Sequence, residues 1–292
     1  MAYLGTYYAK ARLGIRQPIL CGIKLTHHCN LHCRQCPYWR REQDQLTWEQ
    51  LCHLFPLLYQ KGIRIVIFEG GEPMLWQDGS KNIHHLINLA KQYFYTVGLT
   101  TNGTLALDTD ADTLWVSLDG LEATHDSLRG KSFQQIMTNL ANSSHPRTFA
   151  NITINQRNVR EIPTLVRFLQ DKVKGITIQF FYPYPESEDL TCSWEERIWV
   201  LTELQALKKQ GLPIADSFTA LEALKTNNWH CEQWMMANVD PDNTYTQGCY
   251  LSGRTASPAC RWCGFAAHTE ISLAYQLRLQ AIWAGRRILD IF

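Results

Sequence analysis

Apolar residues fall along the first two thirds of this chain in two alternating rhythms. The run ILCGIKLT (19–26) is almost continuously apolar and predicts a buried strand. In the segment TWEQ, Thr47 and Gln50 stand at capping-box spacing, and Leu51, Leu54, Phe55 and Leu58 then recur at helical intervals until Gly62. IRIVIFEGGEP predicts a second strand, ending in glycines. Ile83, Leu86, Ile87, Ala90 and Phe94 predict a helix, YTVGLTTNG a third strand and TLWVSLDG a fourth. Between those last two, the acidic TLALDTDAD leaves room for only a turn or two. A helix over about 132–141, the strand FANITIN, a helix carrying Ile162, Leu165, Val166 and Leu169, and the strand GITIQFFYP complete the alternation.

Strand followed by helix, repeated, requires a parallel sheet with helices on its outer face. Six such strands predict an α/β fold, a partial (β/α)6 TIM-like barrel, with polar chemistry gathered at the C-terminal strand ends. The pattern changes at CSWEERIWVLTELQALKKQG, where Ser193 and Glu196 cap a long helix that stops near Gly211. A loop-rich stretch and an amphipathic helix from about Glu270 follow. The expected division is an N-terminal segment (1–18), a barrel (19–190) and an extension (191–292) forming a small cysteine-rich auxiliary domain.

Composition narrows the function classes. A net charge of +1 gives no long-range attraction to phosphate backbones, which argues against a nucleic-acid partner. No apolar run reaches bilayer length, and Lys10, Arg12 and Arg16 interrupt the opening residues where a signal peptide needs an apolar core. The chain therefore reads as cytoplasmic.

The ten cysteines fall into two groups and a remainder. Cys29, Cys33 and Cys36 crowd CNLHCRQC; Cys231, Cys249, Cys260 and Cys263 form the second group; Cys21, Cys52 and Cys192 are scattered and read as small buried hydrophobes. Three thiolates leave a tetrahedral ion or a cubane cluster one ligand short. Zinc completed by His27, His28 or His32 is one reading, and a disulfide with a spare thiol another. A [4Fe-4S] cluster with one open iron is the third and preferred one, because a vacant position makes such a site reactive.

The CxxxCxxC spacing of Cys29, Cys33 and Cys36, followed by PYW, resembles the radical S-adenosylmethionine (SAM) superfamily. GGEP (Gly70, Gly71, Glu72, Pro73), TTNG and SLDG…HDSLRG occur in matching order, and the resemblance covers roughly 19–185. It implies that the three cysteines hold a [4Fe-4S] cluster whose open iron binds SAM. It further implies that Gly70, Gly71, Glu72 and Pro73 hold the methionyl end, that Thr101 and Asn102 at the third strand end also bind the cofactor, and that Ser117 and Asp119 face the ribose and carboxylate. Arg129 either contacts SAM or braces the loop. His125 and Asp126 tempt an acid-base reading, but a structural role at a helix start is preferred. The short TLALDTDAD departs from the family's full helix and predicts a thinned barrel wall there.

The second cysteine group resembles the auxiliary region of SPASM or Twitch relatives, with VDPDNTYTQGC before a ligand cysteine. The resemblance implies a second [4Fe-4S] cluster, with zinc as the alternative, although the cysteines are too few for a full SPASM set. His268 and Glu270 are candidates for a substrate cavity, with a helix-start role preferred for Glu270.

The resemblance implies an enzyme that reductively cleaves SAM to a 5′-deoxyadenosyl radical, served by a flavodoxin- or ferredoxin-type reductant. Trp194, Trp199, Trp229, Trp234 and Trp262, with Tyr182, Tyr184 and Tyr250, suggest an apolar substrate such as a lipid, isoprenoid or tetrapyrrole, and the chain's two ends suggest peripheral membrane contact. The alternatives are modification of a ribosomally made peptide, with no separate leader-binding domain read in the chain, and a non-catalytic electron carrier or zinc-stapled module.

Overall fold

The computed structural model describes residues 2–42, 44–183, 189–251 and 260–289. In chain order the elements are α1 (Ala2–Arg12), β1 (Leu20–Lys24), α2 (Trp48–Gln60), β2 (Ile65–Glu69), a small hairpin of β3 (Gln77–Asp78) and β4 (Lys81–Asn82), α3 (Ile83–Ala90), β5 (Thr96–Thr101), β6 (Thr113–Ser117), α4 (Glu122–Arg129), α5 (Phe133–Asn142), β7 (Thr148–Ile154), α6 (Ile162–Leu169), β8 (Gly175–Phe180), α7 (Trp194–Lys209), α8 (Phe218–Thr226), β9 (Met236–Val239), β10 (Tyr245–Gln247), α9 (Ala266–Tyr275) and α10 (Leu279–Leu289).

All six apolar runs form strands, and they lie parallel in the order β1-β2-β5-β6-β7-β8. The capping boxes at Thr47/Gln50 and Ser193/Glu196 start α2 and α7 as their spacing predicts. No helix joins β5 to β6, so the wall is thinned there. Alternation along the strands separates two faces. Cys21, Ile23, Val66, Phe68, Val97, Leu99, Leu114, Val116, Ile152 and Ile178 pack outward with α2, α3, α5, α6, α7 and α8 into the main core. The residues between them face the barrel interior.

The 191–292 segment supplies two strands of the same sheet instead of standing apart. β9 pairs parallel with β1, and β10 pairs antiparallel with β9. This covers the β1 edge, whose free N–H and C=O groups would otherwise be unpaired. The expected single final helix is two, α9 and α10, broken at Leu277, which takes a left-handed conformation (φ 60°).

Helices α1 and α10 close the base of the barrel. The last carbonyls of α10 accept hydrogen bonds from Thr113 Oγ1 (to Ile288 O, 2.8 Å), Thr96 Oγ1 (to Leu289 O, 3.1 Å) and Arg147 Nη2 (to Arg287 O, 2.9 Å). Ile288 and Leu289 pack there against Trp115 and Phe149. In α1, Tyr7 packs with Ile19, Ile65 and Met235, and Tyr3 donates to Gly62 O (3.0 Å). Several apolar residues of these two helices therefore serve packing, whereas Leu13, Ile15, Leu277, Leu279 and Trp283 are exposed. No helix among the described residues is long and apolar enough to cross a membrane.

Candidate active site

The cysteine loop leaves the C-terminal end of β1 and is held by the turn after β2. Gly71 N donates to Thr26 O (2.6 Å) and Glu72 N to His28 O (2.8 Å). A Cβ on Gly71 would stand 2.2 Å from His28 O, and one on Gly70 2.5 Å from Thr26 O. Two backbones pass here at a separation that only glycine permits. In this structure the glycines of GGEP serve the cysteine loop itself, in addition to any ligand approach.

Glu72 is fully buried and ties three elements together. Its carboxylate accepts from Thr101 Oγ1 (2.7 Å), Asn102 N (2.7 Å) and Met74 N (3.1 Å). Burial pushes its pKa up to about 7, against the pull of those donors. Pro73 follows as the first residue of a short 3-10 turn. Asn102 in turn donates through Nδ2 to Asn30 Oδ1 (2.8 Å) and toward Cys29 Sγ (3.8 Å). Leu31 N also donates to Cys29 Sγ (3.4 Å). A sulfur that receives N–H donors is stabilised as a thiolate.

Asp119 is the second hub. Oδ2 accepts from Gln35 Nε2 and Arg129 Nε, both at 2.6 Å, and Oδ1 from Thr153 N (2.8 Å). With 0% exposure its carboxylate is engaged by protein donors, and in this structure it braces the loop. Arg129 likewise braces. The end of α4 also touches the loop through Leu128 O, which accepts from Arg34 N (2.8 Å), and Arg129 O, which lies 4.0 Å from Cys33 Sγ. Burial pushes the Cys33 thiol up to about 12, with Arg129 opposing, and burial also raises Cys29. Ser117 ends β6 on the inner face and is almost buried.

His125 and Asp126 are structural. His125 accepts from Asp119 N (3.3 Å) and pairs with Ser132 Oγ (3.0 Å), while Asp126 Oδ1 accepts from Ser132 N and Phe133 N at the start of α5. Of the loop histidines, His27 Nδ1 pairs with Glu42 O (3.0 Å), the His32 ring lies tilted against Trp39 (ring centres 4.6 Å apart), and His28 is exposed.

Sequence reasoning missed a group beside this loop. Lys24 and Glu69 end β1 and β2 at paired positions, with Lys24 Nζ 2.6 Å from Glu69 Oε1. Lys24 lies 4.8 Å from the Tyr38 ring centre and 4.3 Å from that of Tyr250, and the two phenol oxygens are 2.9 Å apart. The available signal was a charged residue closing each of two adjacent apolar runs. Deeper in, the inner wall is polar: Thr177 Oγ1 contacts Asn151 Oδ1 (3.3 Å) and Gln179 Nε2 donates to Thr153 Oγ1 (3.2 Å).

The fold also brings the second cysteine group together. The Cys231 thiol is pushed up to about 12, first by burial and then by Cys263, Cys249 and Cys260. Leu251 N donates to Cys249 Sγ (3.5 Å), the same two-residue device seen at Cys29. Asn227 Nδ2 donates to Cys263 O (2.6 Å) and Arg261 O (2.9 Å). All ten cysteines are free thiols, with Cys21 and Cys192 buried and Cys52 half-buried. Among the described residues no three Cys, His, Asp or Glu side chains close around one ion-sized point.

His268 is buried beside Tyr250, whose N donates to His268 Nε2 (3.3 Å), and burial lowers its pKa to about 4. Glu270 is not at a helix start. It lies buried within α9 and caps α8, accepting from Ser217 N and Ser217 Oγ. The tryptophans disperse: Trp194 stacks on Trp262, Trp199 lies under Arg160, Trp234 packs against Tyr7, and Trp229 is half-buried. Tyr182 stacks with Phe265, while Tyr184 lies outside the described residues.

A parallel partial barrel with a braced three-cysteine loop at its strand ends defines a class of enzyme. Residues 23–169 match the family model of the radical SAM superfamily, and the chain belongs to that superfamily. Among curated proteins it is 29% identical over 167 residues to the sporulation killing factor maturation protein SkfB of Bacillus subtilis, covering 51% of this chain and 39% of that protein. It is 28% identical over 163 residues to the Fe-coproporphyrin III synthase of Methanosarcina barkeri, covering 51% of this chain and 40% of that one. The chain thus matches about two fifths of the length of these relatives. The SuiB structure from Streptococcus suis, bound to precursor peptide SuiA, superposes with a TM-score of 0.68 at 14% identity, covering 90% of this chain and 67% of SuiB.

Proposed function

We propose that Cys29, Cys33 and Cys36 hold a [4Fe-4S] cluster, that SAM binds at its open iron, and that the enzyme modifies a peptide. The observation that carries this reading is the bracing of the loop, with Cys29 Sγ receiving N–H donors from Leu31 and Asn102 and the Arg129 charge opposing the rise of the Cys33 thiol. Those donors fit thiolate ligands. When bound, the cluster and SAM supply a 5′-deoxyadenosyl radical.

The chain's own residues orient and enclose. Gly70 and Gly71 allow the turn after β2 to lie against the loop, Glu72 and Pro73 set its path, and Thr101 and Asn102 hold Glu72 and Cys29. Asp119 and Arg129 fix the far side of the loop. Ser117, at an inward-facing position at the end of β6, is proposed to address SAM.

Cys231, Cys249, Cys260 and Cys263 are proposed to hold a second [4Fe-4S] cluster, supported by their mutual electrostatic influence and the Leu251 donor. A flavodoxin- or ferredoxin-type protein is the proposed reductant. The polar inner wall and the dispersal of the tryptophans favour a peptide over a lipid or tetrapyrrole. SkfB and the peptide-bound SuiB lend the same support.

Two measurements test this reading. Anaerobically reconstituted protein is expected to hold about eight irons per chain, as two clusters require, and the reduced cluster's electron paramagnetic resonance signal is expected to change on adding SAM. Zinc in place of iron overturns it. Peptides carrying deuterated side chains should then pass deuterium into 5′-deoxyadenosine; transfer only from a deuterated tetrapyrrole would replace the peptide reading.

A further inference from the structure

Arg197, on α7, is 2% exposed. Its acceptors are all neutral: Nε donates to Leu224 O (2.7 Å), and Nη2 to Asn227 Oδ1 (2.8 Å) and Cys263 O (2.5 Å). The guanidinium carbon lies 4.4 Å from the centre of the Phe180 ring and 5.0 Å from that of Trp194. Among the described residues no carboxylate pairs with it. A charge taken out of water without a counter-charge is strongly destabilising. Leu224 lies in the last turn of α8, whose dipole offers only about half an elementary charge in compensation.

The guanidinium holds the turn that carries Cys260 and Cys263. Cys263 O accepts from Arg197 and also from Asn227 Nδ2 (2.6 Å), and Cys263 N closes the turn on Cys260 O (2.9 Å). Trp194, against the guanidinium, stacks on Trp262 of the same turn (ring centres 5.2 Å apart). Gly264 then passes against β8: Phe180 N donates to Gly264 O (3.0 Å), and a Cβ on Gly264 would stand 2.3 Å from Phe180 Cβ. Arg197 is thus wedged between the last barrel strand and the cysteine turn. Burial lowers its pKa to about 10, and the thiolates of Cys263 and Cys192 are what oppose that fall. Arg197 in turn opposes the rise that burial imposes on the Cys263 thiol.

We propose that Arg197 is the counter-charge of the auxiliary cluster and sets its reduction potential. The inference deepens the reading of Cys231, Cys249, Cys260 and Cys263 as a [4Fe-4S] site and rests on it. Four thiolates outweigh the positive charge of the iron-sulfur core, so such a cluster is an anion, and it becomes more negative on accepting one electron from the flavodoxin- or ferredoxin-type reductant. A cation at the Cys263 turn stabilises the reduced form more than the oxidised one and so raises the potential. Arg197 acts through the cluster and not on the reacting atoms, as a positioning and tuning residue.

The reconstituted full chain is titrated with dithionite and redox mediators, and the electron paramagnetic resonance signal that SAM leaves unchanged is followed, with the SAM-responsive signal as internal reference. Arg197→Gln removes the charge and Arg197→Lys keeps it. Asn227→Gly removes the other donor to Cys263 O without changing charge, at a left-handed position (φ 51°) that glycine accepts. At fixed potential the reduced-to-oxidised ratio of the auxiliary cluster is expected to fall at least tenfold in Arg197→Gln, about 59 mV for one electron, and to stay within about threefold of wild type in the other two. An unchanged ratio in Arg197→Gln, or an equal fall in either of the others, overturns the inference. Where Arg197→Gln does not assemble the auxiliary cluster, Arg197→Lys decides: about eight irons retained shows that the cluster needs the charge, and loss in both variants shows a structural staple and overturns the inference. About four irons in wild type, with no SAM-insensitive signal, defeats instead the reading beneath it.

Discussion

The phenol oxygens of Tyr38 and Tyr250 lie 2.9 Å apart, joining a residue two positions after Cys36 to one immediately after Cys249. The two cysteine regions, more than two hundred residues apart in sequence, thus share one contact. Tyr250→Phe removes the hydrogen bond but keeps the ring over Lys24, so it should cost about 1 kcal/mol. Tyr250→Ala also removes the ring and should cost more, by the lost cation–π contact and packing. Urea denaturation of the two variants checks the order; equal losses would show that the hydroxyl, not the ring, holds this contact.

Asp119 and Arg129 form a buried ion pair with Gln35 and Thr153 on the same carboxylate. Asp119→Ala leaves Arg129 buried without its partner, and loss on the order of 3–5 kcal/mol is expected. The cysteine loop loses Gln35 as an anchor at the same time. Iron retained per chain after gel filtration should fall more in Asp119→Ala than in the exposed-pair variant Arg34→Ala.

Gly71→Ala tests whether the GGEP turn acts on the loop. A Cβ 2.2 Å from His28 O forces the two backbones apart. The expected result is a protein with near-normal far-ultraviolet circular dichroism but little cluster reconstitution. Normal iron content would mean that the close approach is dispensable.

The pairing of Glu270 with Ser217 predicts a pH dependence. Burial, aided by nearby Asp216, pushes Glu270 up to about 8, and burial pushes Asp216 up to about 7. A carboxyl whose folded pKa exceeds its unfolded one holds its proton more tightly when folded, so this contribution is full below the unfolded value near 4.5 and is lost as pH rises toward 8. The loss is on the order of 2 kcal/mol or more. Melting temperature should therefore fall between pH 5 and pH 8.5, and Glu270→Gln should flatten that slope.

Much of this architecture is legible along the chain because the strands are buried on both faces or close to it. ILCGIK, IVIFE and TLWVS announce themselves as apolar runs, and Thr47/Gln50 and Ser193/Glu196 mark helix starts by chemistry local to four residues. The pairing of β9 with β1 is not local. MANV is four residues long and is a strand because β1 has an open edge to fill, which no window of sequence reveals. The same holds within the site. CxxxCxxC is written in the sequence, but that Asp119 turns inward to Gln35 and Arg129, and that Glu270 caps a helix some fifty residues earlier, follow from packing. Lys24 reads as the end of a strand until the register sets Glu69 opposite it.

The most direct test of the account is SAM cleavage at the three-cysteine loop. Wild type and Cys33→Ala are reconstituted with iron and sulfide without oxygen, reduced with dithionite, and assayed for 5′-deoxyadenosine. The account predicts product from wild type and none from Cys33→Ala. Undiminished product from Cys33→Ala, or none from an iron-loaded wild type, would contradict it.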